Sequence, residues 1–338
     1  MPSQSPRKKC SRSGRATIFD IAREADVSTG TVSRALNNSD DIRAETREKV
    51  LAISRRLGMR RRSSIKRSHF AILIPARSQQ IPRPPVDLFV HDLTIELSLR
   101  GCALSIFSEV QVDSLRRNIF DGVFSVNWHP VALEALLGMQ DTPVIILNRF
   151  QDHGKMNVVG WDHVAEGRIV AEYLFKRGHR RIAFLTPHAM NREANLLRLR
   201  GLREAAETAG HPIDEGYIEM LEEGSPLYAA LQRLVARKAD AVFVPGHGRH
   251  SMEVINLLQG GMGLRVPDDI SVIGGESPGW SLLTNPPMTA VRVPYELIAA
   301  QAVNLMMELI GRKGPQSPVE RLLDVELIER KSVRDRVP

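Results

Sequence analysis

From residue 70 onward, short apolar runs alternate with amphipathic stretches, and this alternation restricts the fold more than any other feature of the sequence. The apolar runs predict strands at Phe70–Ile74, Ala103–Phe107, Gly122–Val126, Val144–Leu147, Asn157–Val159, Arg181–Leu185, Ala241–Val244, Ser271–Ile273 and Leu322–Ile328. Helical patterns lie between most of these runs. Strand–helix alternation of this kind predicts parallel sheets with helices on both faces, which is a doubly wound α/β architecture.

The longer helical patterns carry recognisable end signals. They cover Asp87–Arg100, Asp162–Arg177, Leu196–Ala209 and Tyr295–Ile310. The first three are followed at once by Gly101, Gly178 and Gly210. A glycine just past a helical pattern supplies the left-handed backbone of a C-terminal cap, so we expect the helices to end there.

Charge divides the chain into two unlike parts. Residues 1–68 contain 17 Lys/Arg and 7 Asp/Glu, a net charge of +10, whereas the remainder has a net charge of −3. A small basic module joined to a mildly acidic body indicates that the N-terminal part meets a polyanion. Residues 1–15, rich in Ser, Arg and Lys, are interpreted as a flexible tail.

Residues 16–58 have the pattern of a helix-turn-helix domain. Thr17 with Asp20 resembles a capping box, and Ser28 is a suitable N-cap for a second helix that reaches about Leu36. A third helix is expected over Ala44–Leu57. Two short helices joined by a tight turn place the second helix in the major groove of DNA.

This geometry assigns roles to individual side chains of the second helix and its flanks. Thr29, Gly30 and Arg34 are expected on the outer face near the bases, and Arg34 can bond guanine O6 and N7 together. Short polar side chains around the helix ends suit phosphate oxygens. The predicted phosphate contacts are Thr17, Ser28, Thr31, Ser33 and Asn37.

The stretch ATIFDIAREADVSTGTVSRALNN closely resembles the signature of the LacI/GalR family of bacterial transcriptional regulators, with a nearly continuous match from Thr17 to Leu57. Two positions depart from it. The family often has a base-contacting side chain at Gly30, so specificity should depend on Thr29, Arg34 and the linker. Arg43 stands where the family usually caps the third helix with Ser or Thr; Asp41 is a possible substitute.

The basic linker, residues 59–69, is shorter than the resemblance implies and lacks the family's Pro and its groove-inserting Leu. Three interpretations stay open. Ile65 wedges between base steps of the minor groove, or the basic side chains hold phosphates and line a narrow minor groove, or the segment is an ordinary linker. The candidate hinge and minor-groove residues are Arg60, Arg61, Arg62, Ile65, Lys66 and Arg67.

Residues 70–330 resemble the family's effector-binding and dimerisation domain, most clearly in LFKRGHRRIAFL, RLRGLREAA and RVPDDISVIGG through NPPMTAV. The resemblance implies a periplasmic-binding-protein-like fold of two lobes with three crossovers between them. Lobe 1 is expected at about 70–159 and 293–320, lobe 2 at about 160–292 and 321–330, and a tail at 331–338. In such folds the ligand binds in the cleft at the carboxyl ends of the strands.

The resemblance also implies cleft residues. Arg198 matches an arginine that grips polar ligand oxygens, and Glu276 stands where the family has an aspartate that accepts hydroxyl hydrogen bonds. Ser108, Phe150 and His247 are weaker candidates. The family's Asn-Asp after the Ala241–Val244 strand and its aromatic platform after the first strand are absent, so a hexose effector is not assured.

Other classes of protein fit less well. The sequence has no complete G-x-G-x-x-G, P-loop, G-x-S-x-G or H-E-x-x-H motif, so we expect no enzyme, catalytic residue, metal or cofactor. Its two cysteines show no pairing or metal-ligand spacing, and no secretion signal or membrane span is visible. A cytoplasmic, nucleoid-associated protein is expected.

The sequence therefore predicts a DNA-binding transcriptional regulator, most readily a repressor. It should bind a pseudo-palindromic operator as a homodimer, because two-fold symmetry pairs half-sites. The dimer contact is expected in the first lobe and should include Asp87–Arg100. A small molecule, a carbohydrate or related metabolite, should modulate DNA affinity from the cleft. Two alternatives remain: a regulator with a degenerate cleft that is constitutive or controlled by a protein partner, and a solute-binding protein without DNA activity.

Overall fold

The computed structural model describes most of the chain after the first sixteen residues. The described ranges are 17–36, 42–57, 68–76, 84–126, 130–139, 142–148, 156–186, 192–222, 224–246, 248–276, 279–311 and 317–336. Among the helices of these ranges, none has the length and apolar character needed to cross a membrane.

The N-terminal module consists of the helices α1 (Ile18–Ala25), α2 (Thr29–Leu36) and α3 (Ala44–Arg56). Each helix contributes a fully buried aliphatic side chain to a shared core, namely Ile21, Val32 and Val50. The predicted capping box is confirmed. The Thr17 hydroxyl accepts the Asp20 amide, and the Asp20 carboxylate accepts the Thr17 amide at 2.8 Å.

The body is built from strands and helices in alternation. Its strands are β1 (His69–Ile74), β2 (Ala103–Ser108), β3 (Gly122–Ser125), β4 (Val144–Leu147), β5 (Asn157–Trp161), β6 (Ile182–Thr186), β7 (Ile218–Met220), β8 (Ala241–Val244), β9 (Ser271–Gly275), β10 (Thr289–Arg292), β11 (Glu320–Leu323) and β12 (Glu326–Ile328). Its α-helices are α4 (Pro84–Leu99), α5 (Val112–Arg117), α6 (Pro130–Leu137), α7 (His163–Lys176), α8 (Arg192–Thr208), α9 (Leu227–Ala236), α10 (Gly248–Asn256), α11 (Trp280–Leu283) and α12 (Tyr295–Gly311).

The strands form two sheets, one in each lobe. The first has the order β11-β5-β4-β3-β1-β2 and the second β12-β10-β9-β8-β6-β7. Neighbouring strands pair in parallel, except that β12 runs antiparallel to β10. Helices α4 and α12 pack on one face of the first sheet and α5 and α6 on the other, while α7 with α8 and α9 with α10 cover the second. The predicted doubly wound, two-lobed architecture is confirmed.

The prediction of one final strand over Leu322–Ile328 is wrong, because the chain forms two strands there, β11 and β12. Residues 320–323 pair with β5 in the first sheet, whereas residues 326–328 pair with β10 in the second. The break is only Asp324 and Val325, and the apolar alternation continues across it, so the sequence gives no sign that the chain changes sheets. The crossing lies after Leu323, a few residues later than the expected lobe boundary.

The two remaining crossovers join β5 to α7 and β10 to α12. Strand β5 extends through Trp161, two residues past its predicted end. The strands β7 and β10 were not predicted. The predicted glycine caps are confirmed at the three helix ends, where Gly101, Gly178 and Gly210 have φ of 69°, 82° and 75°.

Candidate functional site

The outer face of α2 presents the residues predicted to reach DNA bases. Thr29, Gly30 and Arg34 are exposed, whereas Val32 and Ala35 on the opposite side are buried in the three-helix core. The Arg34 Nε donates to the Gly30 carbonyl at 3.3 Å, one turn back on the same face. The exposed face is therefore short, its helix packs against the three-helix core through Val32 and Ala35, and it carries the cationic side chain of Arg34.

Short hydroxyl side chains flank this face. Ser28 caps α2, because its Oγ accepts the Thr31 amide at 3.0 Å and lies 2.8 Å from the Thr31 hydroxyl. Thr31 and Ser33 are half-buried, and Thr17 is exposed. The Thr17 hydroxyl donates to Asp20 at 2.7 Å, so its proton is already used within the capping box. These hydrogen bonds from Thr17 lower the pKa of Asp20.

Several predicted site residues lie outside the described residues. They are Asn37 after α2, the linker residues Arg60, Arg61, Arg62, Ile65, Lys66 and Arg67, and the cleft candidates Phe150 and His247. Asp41, considered as a cap for α3, also lies outside them. Within the described residues, Arg43 precedes α3 and makes no side-chain capping hydrogen bond.

The second candidate site lies between the lobes, at the carboxyl ends of the parallel strands. Asn148 follows β4 in the first lobe, whereas Thr186 ends β6 and Glu276 follows β9 in the second. Parallel sheets collect functional groups at this edge because each strand ends there before the chain turns into a helix. Ser108, at the end of β2, is half-buried, and its amide donates to the Gln111 side-chain oxygen at 3.1 Å where the short 3₁₀ helix Glu109–Gln111 begins.

A buried polar network crosses from one lobe to the other near Arg198. The Arg198 Nε lies 2.8 Å from Glu166 Oε2, and its Nη1 donates to Asn195 Oδ1 at 2.9 Å. The Trp161 indole donates to the same Glu166 oxygen at 3.0 Å. His163 lies 3.3 Å from Glu166 Oε2 through Nδ1 and 2.9 Å from Asn148 Oδ1 through Nε2.

Two glycines bring the partners of this network together. A Cβ at Gly167 would lie 1.9 Å from the Arg198 carbonyl oxygen, and one at Gly201 would lie 1.9 Å from the Val164 carbonyl oxygen. Helices α7 and α8 therefore pack backbone to backbone, which only residues without a side chain allow. This close approach puts Glu166 of α7 within reach of Arg198 on α8.

Charge in the network is unevenly distributed. Burial raises the pKa of Glu166, but the Arg198 charge and the hydrogen bonds from His163 and Arg198 outweigh it and bring that pKa to about 2. Burial and the same Arg198 charge lower the pKa of His163 to about 4. At neutral pH the network therefore contains one carboxylate, one guanidinium and a neutral imidazole.

Glu276 is also partnered within the protein. Its Oε1 accepts the Ser281 hydroxyl at 2.8 Å, and its Oε2 lies 2.6 Å from Arg330 Nη1. The sequence predicts Arg198 and Glu276 as ligand-binding residues but does not reveal their internal counterions, Glu166 and Arg330. It also missed Thr186, whose Oγ1 is buried and has no hydrogen-bonding partner among the described residues.

Two protein-family models match the chain. Residues 17–61 match the bacterial regulatory proteins of the lacI family, and residues 171–333 match the periplasmic binding protein-like domain. The first match covers the three-helix module and continues into the basic segment after it. The second covers most of the second lobe together with α12, β11 and β12.

Similar whole proteins are transcriptional repressors. The HTH-type transcriptional repressor PurR of Erwinia tasmaniensis is 29% identical over 95% of this chain and 97% of its own length. PurR of Pasteurella multocida is 28% identical over 95% of this chain and all of its own length. Similarity over both domains indicates a regulator rather than an enzyme.

Solved structures give the same result for the fold. The transcriptional regulator CelR in complex with cellobiose has a TM-score of 0.68 and 28% identity, and covers 94% of this chain and 100% of its own. The lac repressor dimer bound to operator and the anti-inducer ONPF has a TM-score of 0.67 and 21% identity, with 95% and 99% covered. The second likeness is one of fold.

Proposed function

Since the chain belongs to the LacI family of bacterial regulatory proteins, we propose that it represses transcription by binding a pseudo-palindromic operator as a cytoplasmic, nucleoid-associated homodimer. The observation that carries this proposal is the exposed face of α2. Thr29, Gly30 and Arg34 stand on it, and the buried Val32 and the Ser28 cap hold it rigidly from behind. A second helix of this kind enters the major groove with its first residues against the base edges.

The role of each side chain follows from its chemistry. Arg34 would leave the Gly30 carbonyl and bond guanine O6 and N7 in the major groove. Ser28, Thr31 and Ser33 would contact phosphates, which fixes the register of the helix without reading sequence. Asn37 and Thr17 are proposed for the same role at the ends of the motif. Gly30 offers no side chain to a base.

Replacing Arg34 with alanine tests this assignment. We expect the variant to lose discrimination at one base position of each half-site by ~1–3 kcal/mol, because one bidentate contact is removed. The measurement is competition binding against operators with single-base changes. Arg200→Ala is the control, since Arg200 is also an exposed arginine on a helix, namely α8 of the second lobe. An Arg34→Ala profile that matches the control would contradict the proposed groove geometry.

The basic segment after α3 is proposed to bind the DNA backbone. Arg60, Arg61, Arg62, Lys66 and Arg67 would neutralise phosphates or line a narrow minor groove; Ile65 would wedge between base steps. Replacing the three consecutive arginines with glutamine should flatten the dependence of log K on log[salt] by up to ~3, because each lost phosphate contact removes about one released counterion. An unchanged slope would exclude these phosphate contacts.

Dimerisation is proposed through the face of the first lobe formed by α4 and β2. Ile95 and Leu99 of α4 are 45% and 77% exposed, and Ile106 of the edge strand β2 is 52% exposed. Helix α4 contacts strand β2, and we propose that these exposed apolar side chains belong to one surface of the first lobe. A two-fold axis here would pair two α2 helices for two half-sites.

The cleft is proposed to bind a small-molecule effector, and a carbohydrate or related metabolite is the class supported by the relatives. CelR is bound to cellobiose, and another regulator of similar fold, from Enterococcus faecium, is bound to ribose. In this chain Arg198, Glu276 and Ser108 would contact the effector, with Phe150 and His247 beside them. The ligand shifts DNA affinity only as far as it prefers one lobe arrangement over the other.

One observation favours a second candidate, a regulator whose cleft is degenerate and which is constitutive or controlled by a protein partner. Arg198 and Glu276 are both already paired, with Glu166 and Arg330 respectively. Thermal unfolding of the full chain against a panel of sugars and related metabolites separates the two candidates. A ligand that binds the native state raises the melting temperature, whereas the degenerate cleft gives no shift with any compound.

A further inference from the structure

The pairing of Arg198 with Glu166 sets the kind of ligand that the cleft accepts. A guanidinium at the base of a binding cleft ordinarily attracts carboxylates and phosphates, which it grips with two parallel hydrogen bonds. Here the Arg198 Nε already lies 2.8 Å from Glu166 Oε2, and the two side chains are only 8% and 3% exposed. The guanidinium is therefore neutralised from inside the protein before any ligand arrives.

Glu166 is held as a carboxylate by more than Arg198. The Trp161 indole donates to its Oε2 at 3.0 Å, and His163 lies 3.3 Å from the same atom. These donors face the carboxylate from β5 and from the first turn of α7. Protonating Glu166 to release Arg198 would leave a buried cation without a counterion, which is strongly unfavourable.

The second predicted charge in the cleft is balanced in the same way. Glu276 Oε2 lies 2.6 Å from Arg330 Nη1, and its Oε1 accepts Ser281. The groups left to bond a ligand belong either to a guanidinium whose charge is balanced by Glu166 or to a neutral hydroxyl. Among the described residues, Arg198 contacts Glu166 through Nε and Asn195 through Nη1, which leaves its Nη2 for a ligand. The buried Thr186 Oγ1 lacks a hydrogen-bonding partner there, and the ion-paired Arg198 Nε and Glu276 Oε2 also lack a hydrogen bond of good geometry.

We propose that Glu166 is a specificity-determining residue that restricts the cleft to uncharged, hydroxyl-bearing effectors. An anionic ligand would add a charge with no free counterion in a site of low dielectric constant, which is unfavourable. A neutral polyol only exchanges hydrogen bonds with water for hydrogen bonds with Arg198 and Thr186. This inference rests on the proposed function of the cleft and names the class of its ligand.

The charge rule can be tested with inorganic sulfate, without knowing the effector. Thermal unfolding of the full-length protein is followed during sulfate titration at constant ionic strength. The variants are the wild type, Glu166→Gln, and the double variant Glu166→Gln with Arg198→Gln. Glutamine keeps the acceptor for Trp161 but removes the charge, so the single variant leaves Arg198 uncompensated. We expect it to bind sulfate at least about tenfold more tightly than the wild type and the double variant.

All three proteins share the same N-terminal basic module, so sulfate binding there and general salt effects cancel in the comparison. Should Glu166→Gln be unfolded in chloride, the readout is its recovery of the folded state at sulfate concentrations that leave the melting temperatures of the wild type and the double variant unchanged. Equal sulfate responses of the wild type and Glu166→Gln would overturn the proposal. So would saturable sulfate binding by the wild type that the double variant lacks.

A second arm compares neutral sugars with charged derivatives of the same carbon skeleton. Cellobiose is paired with cellobionate and ribose with ribose 5-phosphate, each added to the wild type. Stabilisation by the neutral member alone supports the proposal, and stabilisation by a charged member alone overturns it. DNA binding is measured separately. A protein that does not bind DNA would contradict the proposed repressor function, whereas the sulfate comparison tests the charge rule independently.

Discussion

At the scale of single residues, the network around Glu166 departs most from what the sequence predicted. Arg198 was chosen from a motif, and the structure buries it at the cleft. Glu166 and His163 lie on the first turn of α7, where the sequence indicates only the polar start of a helix. Their partners Asn148, Trp161 and Arg198 are 15, 5 and 32 residues away, so only the folded chain brings them together.

This network makes stability sensitive to acid. His163 has a pKa of about 4 in the folded protein, against an ordinary value of 6.5. Between pH 6.5 and 4 the unfolded chain takes up a proton that folded His163 does not, so the free energy of unfolding falls as pH falls, by up to roughly 3 kcal/mol. The folded Glu166 pKa of about 2, against 4.5, adds a further loss between pH 4.5 and 2.

Replacing His163 with asparagine separates the two contributions. The variant cannot take up the proton, so its stability should be nearly flat between pH 6.5 and 4 relative to the wild type. Most of the loss below pH 4.5 should stay, because the Arg198 charge is the largest cause of the lowered Glu166 pKa and is still present. Urea unfolding at a series of pH values provides the measurement. Parallel wild-type and variant curves through the upper window would assign the acid sensitivity to another group.

At the scale of elements, the three helices of the N-terminal module differ in how their N-terminal ends are capped. Helix α1 has a full capping box and α2 has Ser28, but Arg43 before α3 makes no side-chain capping hydrogen bond. The Arg43 backbone, with φ of −56° and ψ of 139°, is nevertheless extended as a capping residue requires. A short hydroxyl side chain at this position is therefore expected to satisfy a free amide of α3.

Replacing Arg43 with serine should raise the stability of the module by about 1 kcal/mol, since it restores an N-cap. Arg43→Ala is the matched control, because it removes the same arginine without adding an acceptor. Denaturant unfolding of the full chain, followed by a probe in the N-terminal module, compares the two variants. Equal stability of Arg43→Ser and Arg43→Ala would show that the amides of α3 are already satisfied.

Elements were predictable to the extent that their signals are local. Helix ends at Gly101, Gly178 and Gly210 and the strand Ala241–Val244 follow from caps and apolar runs within a few residues. The division of residues 320–328 between two sheets depends on β5 and β10, which are distant in sequence. The counterions of Arg198 and Glu276 were missed for the same reason, since a helical or strand pattern does not show which charges meet across elements.

At the scale of the whole molecule, the proposed account needs two copies of the chain. The apolar side chains Ile95, Leu99 and Ile106 lie on the side of the first sheet covered by α4 and at its β2 edge. Helix α6 packs on the opposite face of the same sheet. An interface through α4 and β2 therefore leaves α6 outside it.

Replacing Leu99 with aspartate should weaken dimerisation by roughly thirtyfold or more, because an apolar contact is lost and a charge is placed at the interface. Sedimentation analysis over a range of concentrations gives the dimer dissociation constant. Leu137→Asp on α6, where Leu137 is 45% exposed, is the control and should leave the constant unchanged. A Leu99→Asp protein with the same dimer dissociation constant as the wild type would show that the interface lies elsewhere.

The central claim is that α2 reads duplex DNA, and selection of bound fragments from random duplexes by the purified full-length protein tests it most directly. We expect the selected fragments to share a two-fold symmetric sequence, and we expect the Arg34→Ala protein to lose the preference at one base position of each half-site. Repeating the selection with neutral sugars present should change the yield of these fragments but not their sequence. Failure to retain any duplex at low ionic strength would contradict the account.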